Sequence, residues 1–157
     1  MASNVASRIR IVGAIVEEQG RYLITQRRST AVLAGLWEFP SGRVETGETD
    51  EHALQRELRE RLGVDVVVGG VFARRVHCYD GYVVDLVLYR ATIAPTQEPR
   101  PVQVDDLRWV TPQELESYPF PLADQATMDL LLGINRDTRM SEDTPAPEPE
   151  DSAWRQL

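Results

Sequence analysis

Apolar and polar positions along the chain repeat with a period that changes from segment to segment, and the changes mark the elements. Ile9–Glu17 is a mostly apolar run of strand length. Gln19-Gly20 makes a turn, and Tyr22–Arg27 returns as a second strand. Ser29–Gly35 reads as a loop, and Trp37–Pro40 as a short extended piece stopped by the breakers Pro40-Ser41-Gly42. After a Thr46-Gly47 turn the period lengthens. Ala53, Leu54, Leu58 and Leu62 form one apolar stripe, which predicts a helix over Asp50–Leu62. Thr49 or Asp50 can cap its start and Gly63 stops it.

The pattern then shortens again. Val64–Val68 and Val71–His77 read as strand pieces around a bend at Gly69-Gly70. Asp80-Gly81 is a hairpin signal with Tyr82–Ile93 as the partner strand. Pro95–Pro101 is a loop and Leu107–Val110 a short strand. Thr111-Pro112-Gln113-Glu114 combines a cap, a Pro at the first helical position and a Glu for a capping box. Pro119 interrupts that helix, and Leu122–Ile134 is predicted as a second one. Residues 138–157 mix acidic groups with Pro and have little to bury, so a tail is expected after a domain at 1–137. The elements do not alternate as regular βαβ units. An α/β fold with a mixed sheet and helices on its faces is therefore expected.

Composition narrows the class. The 157 residues suit one domain, and no run is long and apolar enough to span a membrane. Met1–Arg10 lacks the apolar stretch of a signal peptide. Cys78 is the single cysteine, so an internal disulfide is excluded and a cytoplasmic location is expected. Its expected place is a buried or half-buried strand position. The formal net charge of −8 argues against binding a nucleic-acid duplex. It leaves room for a small anionic substrate, because a bound cation and a few arginines can reverse the field locally. Every basic residue is Arg.

The chemistry concentrates around the predicted helix. Glu57, Glu60 and Arg61 stand at i, i+3 and i+4 and share a face beside the apolar stripe. On an arbitrary helix such charges form a solvated face. Here a tight loop, Gly42-Arg43-Val44-Glu45-Thr46-Gly47-Glu48, leads into the helix. Two carboxylates on one face are suitable ligands for a hard divalent cation, which can bridge phosphate oxygens and acidify a water.

Gly42, Glu48, Arg56, Glu57, Leu58, Glu60, Gly63 and Val64 fall in register with the Nudix box. The segment resembles the Nudix hydrolase family, and Leu33–Pro40 and Asp106–Val110 extend the likeness to its MutT-like, nucleoside triphosphate branch. The resemblance covers about Arg8–Gly133. It implies an α/β/α sandwich with a mixed sheet and hydrolysis of a (deoxy)nucleoside triphosphate to monophosphate and pyrophosphate, with Mg²⁺ or Mn²⁺. It implies Ser41 (through its carbonyl), Glu57 and Glu60 as metal ligands, with Glu57 also a candidate base. Glu48 and Arg56 would brace loop and helix. Arg27 and Arg43 would contact phosphates. Phe120–Asp124 resembles the base-reading segment, where Asp124 would accept from an exocyclic amine of a cytosine-type base; capping a helix is its other reading.

Three positions depart from the family. Arg61 stands where the box has a second Glu, Ser41 where the family usually has a Gly just before the box glycine, and Gln103 where some relatives place a loop carboxylate. Asp85, Asp105 and Asp106 are candidate replacements for the lost ligand. The alternatives are a nucleotide-binding module with little or no catalysis, and a hydrolase of nucleotide sugars or dinucleotides.

Overall fold

The computed structural model describes residues 7–30, 34–79 and 81–120. Their strands are β1 (Ser7–Glu18), β2 (Arg21–Gln26), β3 (Trp37–Glu38), β4 (Ser41–Arg43), β5 (Val66–Tyr79), β6 (Tyr82–Ile93) and β7 (Asp106–Val110). One α-helix, α1, spans Asp50–Leu62, and a 3-10 helix spans Pro112–Ser117. The path runs β3-β2-β1-β6-β5, with β4 paired to β1 and β7 to β2. β1 and β6 are parallel over Ser7↔Tyr82 to Val16↔Ala91, and every other pair is antiparallel, so the sheet is mixed.

The central strand β1 is buried on both faces. Ile9, Ile11 and Ile15 enter one core with Ile24, Trp37, Phe39, Val84, Leu86 and Leu88. Val12, Ala14 and Val16 enter the other with Ala53, Leu54, Leu58 and Leu62 of α1. The two-residue period of a strand divides the side chains between two layers in this way. Partly buried Tyr118 and Phe120 pack on the first core from beyond the 3-10 helix.

A fork in the sheet positions the site. β1 and β2 pair only at Glu17↔Tyr22 and Glu18↔Arg21. Further from that turn, β1 takes β4 at Ile11–Gly13, whereas β2 takes β3 at Thr25–Gln26. The chain crosses from one branch to the other at Phe39-Pro40, and the Pro40 carbonyl accepts from Ala14 N at 2.8 Å. Glu38 therefore ends one branch and Ser41 begins the other.

Most expected elements appear, some with changed bounds. β5 runs unbroken through Gly69-Gly70, with the expected irregularity between Val68 and Ala73. The segment after Thr111 is a 3-10 helix, ending at Ser117 before Pro119. Cys78 lies on a strand as expected but is exposed, not buried. It sits on β5, the end strand of the path, where Arg74 and Val76 at the same parity also face solvent. The expected helix Leu122–Ile134, Asp124 and the expected tail lie outside the described residues. Among the described residues no helix is long and apolar enough to cross a membrane.

Candidate active site

The loop into α1 is built by its own side chains. Gly47 adopts φ +84°, a left-handed turn that a side chain would strain. Glu48 accepts from Glu45 N at 2.9 Å and from Arg56 Nε at 2.8 Å and NH2 at 2.9 Å. Arg56 NH2 also donates to the Arg43 carbonyl at 3.0 Å. One guanidinium thus ties the loop to the second turn of the helix. Hydrogen bonding from Arg56, then from the Glu45 amide, holds the Glu48 carboxyl down to about 2. Thr49 caps α1 by accepting from His52 N at 3.1 Å, and Gly63 ends it at φ +68°.

Glu57 is buried on the face of α1 that meets β4. A Cβ added at Gly42 would fall 2.0 Å from its Cδ. The carboxylate therefore rests in a cradle that only glycine leaves open, beside Ser41. Arg56 NH1 donates to Glu57 Oε1 at 2.9 Å, and Arg61 Nε donates to Oε2 at 2.6 Å. Arg56 NH1 also lies 3.6 Å from Glu60 Oε2 and 3.8 Å from Glu45 Oε1. Glu57 and Glu60 therefore converge on one cationic nitrogen. Glu57 is enclosed, while the Glu60 side chain is 51% exposed.

The charged row continues into the fork. Arg61 NH1 is 3.8 Å from Glu38 Oε1, and Arg27 NH1 donates to Glu38 Oε2 at 3.1 Å. Burial pushes the Glu38 carboxyl above its ordinary value, and the guanidinium groups of Arg27 and Arg61 offset only part of that. The signs alternate along Arg27, Glu38, Arg61, Glu57, Arg56 and Glu48. Glu38 is the member that sequence reasoning missed. Its signal was a carboxylate between Trp37 and Phe39, two large aromatic residues that are buried in the core.

The structure gathers Ser41, Glu57, Glu60 and Arg43 around the loop–helix junction. Arg27 is buried on the far side of Glu38, and its ion pair points inward. The donor set beside Gly42 suits a hard cation: two carboxylates, with the Ser41 carbonyl adjacent in the chain. Among the described residues no group of three or more His, Cys, Asp or Glu side chains could hold a metal. The candidate replacements are engaged elsewhere. Asp85 pairs with Arg10 and Arg74, Asp105 accepts from Ser29 N, and Asp106 pairs with Arg108. The Gln103 amide donates to the Arg61 carbonyl at 3.0 Å, docking that loop on the end of α1. An ion here would have Glu57 and Glu60 as its charged ligands and fill the rest of its shell from backbone, water or substrate oxygens.

The model of the NUDIX domain family matches residues 11–130. The chain is 34% identical to the CTP pyrophosphohydrolase of Escherichia coli over 127 residues, covering 80% of this chain and 93% of that protein. It is 37% identical over 133 residues to a putative 8-oxo-dGTP diphosphatase 2 of Mycobacterium tuberculosis, covering 82% of this chain and 92% of that protein. Among solved structures, the E. coli ORF135 protein superposes with a TM-score of 0.71 at 29% identity, covering 92% of this chain and 99% of that one.

Proposed function

The chain belongs to the NUDIX domain family, and from that premise we propose that it hydrolyses a nucleoside triphosphate to monophosphate and pyrophosphate with Mg²⁺ or Mn²⁺. One observation carries the reading: Glu57 is seated in the Gly42 cradle and shares Arg56 NH1 with Glu60. That is a preset pair of carboxylates at the mouth of a tight loop. When bound, the cation neutralises phosphate oxygens and acidifies a water.

The remaining work falls to the chain. Glu57 and Glu60 hold the ion with the Ser41 carbonyl. Glu57 takes the proton of the attacking water once a guanidinium yields one of its oxygens. Arg43, for which no ion pair is found among the described residues, stands on the loop and binds phosphate oxygens. Arg27 does the same if the substrate displaces Glu38. Arg suits these contacts because its fork matches two oxygens at once. The proposed base is cytosine-like. Asp124 as an acceptor favours an exocyclic amine, and a relative named CTP pyrophosphohydrolase shares most of its length with this chain.

The test is pyrophosphate release from a panel of natural and oxidised nucleotides with Mg²⁺ and Mn²⁺. Glu57→Gln should lower the rate by about 10²–10⁴-fold, the usual contribution of a positioned base. A folded Glu57→Gln protein with wild-type turnover would refute the mechanism. One feature favours a second reading, a nucleotide-binding module without turnover: both Glu57 oxygens are held by arginines. That reading requires nucleotide binding with no pyrophosphate released under either metal.

A further inference from the structure

The geometry points to Arg61 as a built-in cation that takes the place of one divalent ion on Glu57. The inference rests on the assignment of Glu57 as a cation ligand. Arg61 Nε holds Glu57 Oε2 at 2.6 Å, and its NH1 reaches toward Glu38 at 3.8 Å. Its side chain is 23% exposed, so the charge is fixed between two carboxylates rather than free in solvent. The Arg61 carbonyl accepts from Val102 N and Gln103 N, each at 3.0 Å, which fixes the backbone beneath it.

Charge matching gives the consequence. Arg27, Arg56 and Arg61 face Glu38, Glu45, Glu48, Glu57 and Glu60 in one connected row, a formal balance of −2. One divalent ion neutralises that balance. With Glu at position 61 the same row would contain two guanidinium groups and six carboxylates, a balance of −4. Glu57 Oε2 would then be released beside a new carboxylate one turn away on the same face. A second divalent ion would be needed to stabilise the cluster, because close like charges repel strongly when partly desolvated.

The experiment is a Mn²⁺ titration of the nucleotide-free full chain, with free Mn²⁺ read by electron paramagnetic resonance. Arg61→Glu should bind one more ion per chain than wild type. Arg61→Gln removes the cation without adding a ligand, and should keep the wild-type count while binding that ion on the order of tenfold more tightly. Circular dichroism checks that each variant is folded. If Arg61→Glu fails to fold, Arg61→Gln decides alone: unchanged or weaker Mn²⁺ affinity overturns the inference. Equal counts in wild type and a folded Arg61→Glu protein also overturn it, even if the wild type hydrolyses nucleotides. If wild type binds no ion and Arg61→Glu binds one, the inference stands, and any ion used in turnover must enter with the nucleotide's phosphates.

Discussion

Gly42→Ala should push the central carboxylate out of place. The added Cβ would lie 2.0 Å from Glu57 Cδ and 2.4 Å from both Cγ and Oε1, whereas unbonded carbons rest about 3.5–4.0 Å apart. Gly42 is absent from the positive-φ glycines, so the effect is contact and not backbone strain. Glu57 cannot swing aside freely, because Arg56 and Arg61 hold both its oxygens. Shifting β4 instead would disturb the Val12↔Gly42 pairing at the centre of the sheet. Overpacking of this kind costs about 1–3 kcal/mol, and relieving it by giving up one charged hydrogen bond costs about 1.5–3 kcal/mol instead. We expect a loss of about 2 kcal/mol, which lowers Tm by roughly 4–8 °C in a chain of this size. Pyrophosphate release should fall on the order of 100-fold, since displacement by about 1 Å has that effect on a reacting group. Gly47→Ala is the control. Its φ of +84° is strained by any side chain, but no atom lies within 4 Å of the new Cβ. It should lose about 1–2 kcal/mol and keep most of its turnover. Thermal melts and initial rates on both proteins decide the matter. A Gly42→Ala protein that melts with wild type, or loses no more activity than Gly47→Ala, would show that the cradle is not tight.

Two further outcomes concern charge. Arg10 bonds Asp50 at the start of α1 and Asp85 on β6, and Tyr89 also donates to Asp50. Asp50 is held below its ordinary value, first by Arg10; Asp85 is lowered too, Arg74 and Arg10 together outweighing its burial. Depressed carboxyls stabilise the fold above their unfolded values, and that contribution is lost as pH falls through the folded ones. Melting temperature should therefore drop as pH falls below about 4, and Arg10→Met should be less stable at neutral pH by about 1–3 kcal/mol with a shallower acid decline; parallel pH profiles for the two proteins would contradict this. For Glu48, a carboxyl titration by NMR should give a midpoint of about 2. Arg56→Gln should move it upward, and an unmoved midpoint would mean that Arg56 is not its main partner.

Local signals carried the parts of this fold that are decided within a few residues. Thr49 and Gly63 bracket α1 because a side-chain oxygen and a left-handed glycine satisfy the helix's end groups wherever it packs. Gly81, at φ +87°, precedes β6 for a similar reason, and β6 begins and ends where its apolar run does. The Glu48–Arg56 brace was implied by the family resemblance, and it forms between residues only eight apart in the chain. Cys78 was not. An apolar-looking residue on a strand is buried or exposed according to which strand flanks it, and β5 ends the sheet path. The 3-10 form of Pro112–Ser117 was equally beyond local reading, because a capping sequence starts either kind of helix and Pro119 left room for only a short one.

By itself, the sequence determined the period of each segment, the ends of α1, the register of the Gly42–Val64 box and the family that this register belongs to. Each depends on covalent spacing and on groups within about two turns of one another. The tertiary structure decided what the charges do. Parallel pairing of β1 with β6 joins residues 75 apart, as in Ser7↔Tyr82, and the fork at Phe39-Pro40 carries Glu38 toward Arg61. Neither neighbour can be read from spacing, because ion pairs form in space and burial is set by the layers above and below. Only there does Arg61, at first a departure in a motif, become a guanidinium held between Glu57 and Glu38.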